Sequence, residues 1–227
     1  MRFSIIMPVL NEEAVLEQQL CQLARISASH DCELLLVDGG SVDQTITIAQ
    51  RFGQVIHAPR GRAVQMNKGA EAASGDIYIF LHADTLLPED AFDVIEHACA
   101  SRQVVGGAFR LSFNSEKLVY RLVAFTTNLR SRWRGIFTGD QAYFVRADSF
   151  KAIGGFPEIA LMEDLEIITR LRQIGKVVLL PCSVTTSARR HQKVGLARSV
   201  LFMWYLRTLY KCGVSPEQLQ RKYVDIR

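Results

Sequence analysis

The segment His82-Ala83-Asp84 follows the apolar run Ile77-Tyr78-Ile79-Phe80-Leu81, so a carboxylate stands at the carboxyl end of a strand that reads as buried on both faces. Open α/β sheets bind their ligands at that edge. Asp38 closes the earlier run Glu33-Leu34-Leu35-Leu36-Val37 in the same way, and Glu163-Asp164 opens a later helical segment. A strand-end carboxylate suits Mg²⁺ or Mn²⁺, which keep several waters and bridge to a diphosphate. A carboxylate not engaged by the cation can act as a general base. His82 and Asp84, two positions apart, fall on one side of an extended chain, and Asp84 is expected beside Asp38 in the sheet. Plainer roles stay open: a neutral His82 bonded within the sheet, Asp84 as a turn residue before Pro88, and Glu163 and Asp164 as charges favoured by a helix dipole.

Phosphates would have to be held by side-chain cations or by the metal, because the chain has neither G-x-G-x-x-G nor a P-loop sequence. The Gly39-Gly40-Ser41 turn after Asp38 lets backbone approach a ligand, and Asp43 suits the start of the next helix. Arg60-Gly61-Arg62 and the following Asn67-Lys68-Gly69 supply cations, and an arginine can grip a phosphate with two hydrogen bonds. A tight βα turn and a solvated charged face are the simpler readings of these two stretches.

Alternating strands and helices must position these groups. Strands are predicted at 3–9, 33–38, 54–58 and 77–83, and helices near 12–26, 43–52, 62–73 and 89–101. That rhythm predicts an α/β fold with a mostly parallel sheet flanked by helices. After residue 103 the pattern loosens. A strand over 104–113 carries Gly106-Gly107, read as a bulge or a close backbone approach. A helix over 116–131 turns Leu118, Leu122, Phe125 and Leu129 to one side. A strand at 141–146, a helix at 165–174, a short strand at 177–180 and an apolar helix from Leu196 to about Tyr210 complete the chain. The reading is one domain over 1–227, with a nucleotide half at 1–103, an acceptor half at 104–195 and a helical tail at 196–227.

The composition is that of an ordinary globular protein, with 227 residues, 48% hydrophobic and 22% charged. A net charge of +4, with no run of basic residues, gives no case for nucleic acid as a partner. Five cysteines share no short spacing, and most read as small buried residues in a reducing compartment. The first strand lacks a signal-peptide cleavage pattern, so the expected location is the cytoplasm. Peripheral contact with the inner face of the membrane is kept open by Trp133 among Arg130, Arg132 and Arg134, and by Phe202-Met203-Trp204-Tyr205. The final helix is apolar nearly all round, so burial or a homodimer contact is the competing use.

Taken together, the segments Ile6–Glu12, Val37–Thr45, Arg62–Gly69, Phe80–Thr85, Gly139-Asp140-Gln141 and Glu163-Asp164 resemble, in order and spacing, the family 2 glycosyltransferases of GT-A fold. Leu81–Thr85 and the tail Ser187-Ala188-Arg189-Arg190 look most like the radical-SAM/selenodomain-associated branch. The resemblance implies an inverting, metal-dependent transferase that takes a sugar from a nucleotide-diphosphate donor to an unidentified hydroxyl acceptor, with a lipid-linked one in view. Pro8, Asn11 and Glu12 would line the nucleoside pocket, with Asp38 accepting a bond from the base and Gly40 in its turn. Arg62 and Asn67 would lie near the diphosphate and sugar, with Arg189 and Arg190 helping the leaving group. Asp84 matches the second aspartate of the family's Asp-x-Asp and would hold the metal; His82 stands where the first would be, with Ala83 between. Asp164 matches the catalytic base and Glu163 supports it.

Two other readings compete. A sugar nucleotidyltransferase would want a glycine-rich basic loop after the first strand, where this chain has Asn11-Glu12-Glu13. A non-catalytic nucleotide-sugar-binding or partner protein would have no need of Asp84 and Asp164.

Overall fold

Two apolar layers sandwich one sheet, and the alternation of side chains along each central strand feeds both. In the computed structural model, which describes residues 1–188 and 196–224, strand β1 (Phe3–Val9) sends Phe3, Ile5, Met7 and Val9 into one layer and Ile6 into the other. Strand β2 (Cys32–Asp38) divides Leu36 from Leu35 and Val37, and β4 (Ile77–Phe80) divides Ile77 and Ile79 from Tyr78 and Phe80. Burial on both faces is why these runs are apolar without a break.

Helix α1 (Glu13–Ser27) follows β1, burying Leu16, Leu20, Leu23 and Ile26 at helical spacing. Helix α2 (Thr45–Ala49) is shorter than the predicted 43–52, and β3 (Gln54–His57) is the outer strand. Helix α3 (Arg62–Ala72) leads into β4, and a two-residue strand β5 (Thr85–Leu86) precedes α4 (Ala91–Cys99). Strand β6 (Val104–Phe113) is followed by helix α5 (Leu118–Arg134), a 3₁₀ turn at Gly139–Gln141 and strand β7 (Tyr143–Arg146). Helices α6 (Ala147–Ala152) and α7 (Glu163–Ile174), strand β8 (Lys176–Thr186) and helices α8 (Leu196–Lys211) and α9 (Pro216–Val224) complete the described chain.

The eight strands lie in the order β3-β2-β1-β4-β7-β6-β8-β5. Pairs β1–β2, β1–β4, β2–β3 and β6–β8 are parallel, and β4–β7, β6–β7 and β5–β8 are antiparallel. The mostly parallel α/β sheet is as expected. Of the two readings of Gly106-Gly107, the close backbone approach holds: a Cβ on Gly106 would stand 2.7 Å from the Phe144 carbonyl, while the register shift falls one residue earlier, at Val105.

Three expectations change, and the orientation of α5 is settled. Strand β4 stops at Phe80, and residues 82–85 form a turn in which Thr85 N–H donates to the His82 carbonyl at 3.1 Å, so His82 and Asp84 are not alternate residues of one strand. Strand β1 lies between β2 and β4, so Asp38 and Asp84 are not on neighbouring strands. The last strand runs on through Pro181 to Thr186, because Pro181 falls where the β6–β8 register shifts and no ladder donor is needed. The apolar side of α5 faces outward: Leu118, Leu122, Phe125 and Leu129 are exposed, and only Tyr120 and Ser131 of that helix are buried.

Candidate active site

The carboxyl ends of the parallel strands β1, β2 and β4 open onto one edge, and the loops there are tied together by side chains. Asn11, held in the left-handed region at φ 53°, accepts the Val42 N–H at 2.9 Å on Oδ1, and its own N–H donates to Ser41 Oγ at 3.0 Å. Glu12 N–H donates to Thr45 Oγ1 at 2.8 Å, and Glu13 Oε2 accepts the Gln44 N–H at 2.9 Å. Asp38 is almost wholly buried, and its carboxylate accepts the Gly40 N–H at 2.9 Å and the Ser41 N–H at 3.1 Å. That turn places Gly40 at φ 95°, a conformation that favours glycine. His57 Nδ1 lies 3.7 Å from Asp38 Oδ2. Pro8 is half-buried in β1 just below this zipped pair of loops.

Gln65 was not assigned a role from sequence. Its buried Nε2 donates to the carbonyls of Val9 at 3.0 Å and Val37 at 2.7 Å, clamping the ends of β1 and β2. The amide of Asn67, expected beside a diphosphate, pairs both ways with Phe156: Nδ2 donates to its carbonyl at 2.8 Å and Oδ1 accepts its N–H at 2.9 Å.

The ionisable cluster assembles from four separate elements. Arg62, the first residue of α3, places Nη1 3.4 Å from Glu163 Oε1 at the start of α7. Burial opposes the Arg62 charge, but Glu163, Asp140 and Asp164 outweigh it and raise the guanidinium pKa. Glu163 is buried, and burial together with neighbouring Asp164 raises its pKa despite the Arg62 contact. Asp164, second in α7, accepts the Gly139 N–H on Oδ2 at 3.3 Å and the Leu165 N–H on Oδ1 at 2.9 Å. His82 turns Nδ1 to Asp140 Oδ1 at 3.6 Å. A Cβ on Gly139 would stand 2.8 Å from His82 Cε1, so this turn can pass the ring only without a side chain.

Tyr143, Arg130 and Arg207 extend the cluster toward the helical side; Tyr143 and Arg207 were missed from sequence, and Arg130, expected with Trp133 at a membrane, buries part of its guanidinium instead. Burial and the charges of Asp164, Glu163 and Asp140 push the Tyr143 hydroxyl well up, which keeps it protonated. Burial and nearby Arg207 bring the Arg130 guanidinium down to about 10. Tyr143 Oη and Arg130 Nε and Nη2 are buried without a hydrogen-bond partner among the described residues. Asp140 belongs to the Gly139-Asp140-Gln141 segment visible in the sequence, but nothing there showed which histidine it would face.

Asp84 sits in the turn beyond β4, its Oδ1 accepting from Thr85 Oγ1 at 3.4 Å, with buried Ala83 beneath. Among the described residues no three His, Cys, Asp or Glu side chains converge into a ready cage. One lightly engaged carboxylate still fits Mg²⁺ or Mn²⁺, which are ordinarily held by one or two carboxylates plus substrate phosphates. Arg189 and Arg190 lie outside the described residues.

A sheet edge with paired loops, a basic helix start and a facing carboxylate pair stands where open α/β sheets take their ligands. The sequence model described as Glycosyl transferase family 2 matches residues 4–154, and the chain belongs to that family. It is similar to a PGL/p-HBAD biosynthesis glycosyltransferase of Mycobacterium bovis, 36% identical over 160 residues that cover 66% of this chain and 57% of that protein. The chain thus spans a little over half the length of that curated relative. S. aureus TarS in complex with UDP superposes with a TM-score of 0.65 at 18% identity, over 82% of this chain and 60% of that one. The mannosyltransferase PcManGT from Pyrobaculum calidifontis, in complex with GDP-Man and Mn²⁺, gives 0.63 at 21% identity, over 82% and 56%. These likenesses establish the fold as GT-A.

Proposed function

We propose that this chain transfers a sugar from a nucleoside-diphosphate donor to a hydroxyl acceptor in one inverting displacement, with Asp164 as the general base. The observation that carries this reading is the setting of Asp164. It opens α7, bonded to the Gly139 N–H, among Arg62, Glu163 and Asp140 at the ligand edge of the sheet.

Asp164 takes the acceptor proton as the hydroxyl oxygen attacks the anomeric carbon; the bond from that carbon to the diphosphate breaks, and the diphosphate leaves with the electron pair. Asp84 would hold a divalent metal, which would supply positive charge to that leaving group. Arg62 adds a second cation, kept in place by Glu163. His82 acts through Asp140, which it faces, and so helps hold the Gly139 turn against Asp164. Pro8, Asn11, Glu12, Asp38 and Gly40 form the nucleoside wall, where Asn11 and Asp38 work by locking the two loops. The radical-SAM-associated branch and a lipid-linked acceptor are finer parts of the same proposal, resting on Leu81–Thr85 and on the apolar helices respectively.

The test is a thermal-shift panel of UDP, GDP and their sugars with and without Mn²⁺, followed by turnover of the donor that binds. Asp164→Asn is expected to bind donor as the wild type does and to lose about 10²–10⁴ in turnover. Asp84→Ala is expected to lose the Mn²⁺-dependent part of the shift. Undiminished turnover by Asp164→Asn would sink the assignment, and unaltered function of both variants would favour a binding protein.

A further inference from the structure

Most large apolar side chains left in solvent by this fold belong to two helices. Among the described residues, on α5 they are Leu118, Val119, Leu122, Phe125, Leu129 and Trp133, with Trp133 80% and Phe125 62% exposed; on α8 they are Leu201, Trp204 and Tyr205. Exposed apolar surface of that extent on a folded protein marks a surface that meets something. Helix α5 is tied to α7, whose Arg172 Nη1 donates to the Arg134 carbonyl at 3.0 Å. Arg130 of α5 and Arg207 of α8 are near enough for each charge to act on the other, and Asp164 acts on Arg130 as well. Helix α8 is fastened to α7, whose start carries Asp164, through Tyr210 Oη donating to Glu166 Oε1 at 2.5 Å and through Leu206 packed with Met162.

Charge identifies the partner. No Asp or Glu occurs from Lys117 to Arg134 or from Leu196 to Lys211, whereas Arg121, Arg132 and Arg134 of α5 and Lys211 of α8 are exposed among the apolar residues. Apolar and cationic residues without acids fit an interface rich in anionic lipid, where aromatic rings settle at headgroup level and arginines meet phosphates. Self-association would instead bring an arginine-bearing face onto its own copy, since a two-fold contact matches the same patch to itself. No helix among the described residues is long and apolar enough to cross a membrane, so the contact lies in the plane of the bilayer surface.

We propose that the outward faces of α5 and α8, both fastened to the helix that carries Asp164, form a docking surface for an anionic lipid bilayer. The docking stands by itself. That the acceptor is drawn from the same bilayer rests on the glycosyltransferase reading above.

The experiment is co-sedimentation of the full chain with vesicles of phosphatidylcholine alone and of phosphatidylcholine with phosphatidylglycerol. Mn²⁺-dependent UDP binding is measured in parallel. The wild type is expected to pellet with the anionic vesicles, to stay in solution with the neutral ones, and to be released by salt. Phe125→Ser/Trp133→Ser/Trp204→Ser is expected to lose about tenfold or more in partition while keeping UDP binding. Arg132→Glu/Arg134→Glu, on exposed residues, guards against a folding defect in the triple variant and is expected to lose binding too. No pelleting with anionic vesicles at low salt would overturn the proposal, as would unchanged pelleting by both variants. So would a dimer abolished by the same substitutions without vesicle binding. Vesicle binding by a chain that takes no nucleotide would leave the docking intact and remove the donor reading.

Discussion

The strand-rich edge of the sheet and the helical rim of α5 and α8 use equally apolar sequences to opposite ends. In β1, β2 and β4 every large apolar residue is spent on one of two cores, and the polar groups at the strand ends are bonded to neighbouring loops. Along α5 the same kinds of residue point away from the protein, and the helix is held to β6 by buried Tyr120 against Phe113, ring centroids 5.3 Å apart, and by polar bonds. Asn128 donates to the Leu111 carbonyl at 3.0 Å and accepts its N–H at 2.7 Å, and buried Ser131 donates to Gln141. Periodicity thus reports that a segment has an apolar side; it does not report what covers that side.

The contrast can be broken most forcefully at Phe80, which packs against Phe150 and Phe156. Phe80→Ala is expected to cost about 3–5 kcal/mol by urea unfolding, a large part of a typical domain's stability. A loss below about 1 kcal/mol would mean that the sheet core is no tighter than the rim. Gln65→Leu should cost about 1–3 kcal/mol, because it leaves the carbonyls of Val9 and Val37 without their donor. A near-neutral result would show that water replaces the clamp.

Glu163 gives a pH signature. Its pKa is raised in the folded state, so between the ordinary value of 4.5 and the raised value the native protein holds a proton that the unfolded chain has lost. Stability from this group is therefore complete below 4.5 and is lost as pH rises through the folded pKa. Urea midpoints of Glu163→Gln should fall less steeply over that range than those of the wild type; identical slopes would mean that the carboxylate is not penalised by burial. The smallest effect is expected at the rim, where Phe125→Ser should leave the unfolding free energy within about 0.5 kcal/mol of the wild type. A loss comparable to that of Phe80→Ala would show that α5 is covered in solution.

Much of this was legible from the residues. Unbroken apolar runs ending in Asp38 and in His82-Ala83-Asp84 announced a sheet buried on both faces and the edge where its ligands lie. Leu16, Leu20 and Leu23 announced α1 by spacing, and the ordered segments from Ile6 to Asp164 announced the family that the chain belongs to. These signals are local: each depends on neighbours within a few residues. The pairing of Arg62 with Glu163 across 101 positions, the close pass of Gly139 by His82, and the gathering of Tyr143, Arg130 and Arg207 are not local. Sequence alone determined that acids, arginines and apolar helices exist, and at which strand and helix ends they stand. Only the packing of α5, α7 and α8 around the sheet decided which charges meet and which apolar face remains in water, because those outcomes depend on contacts between elements remote in the chain.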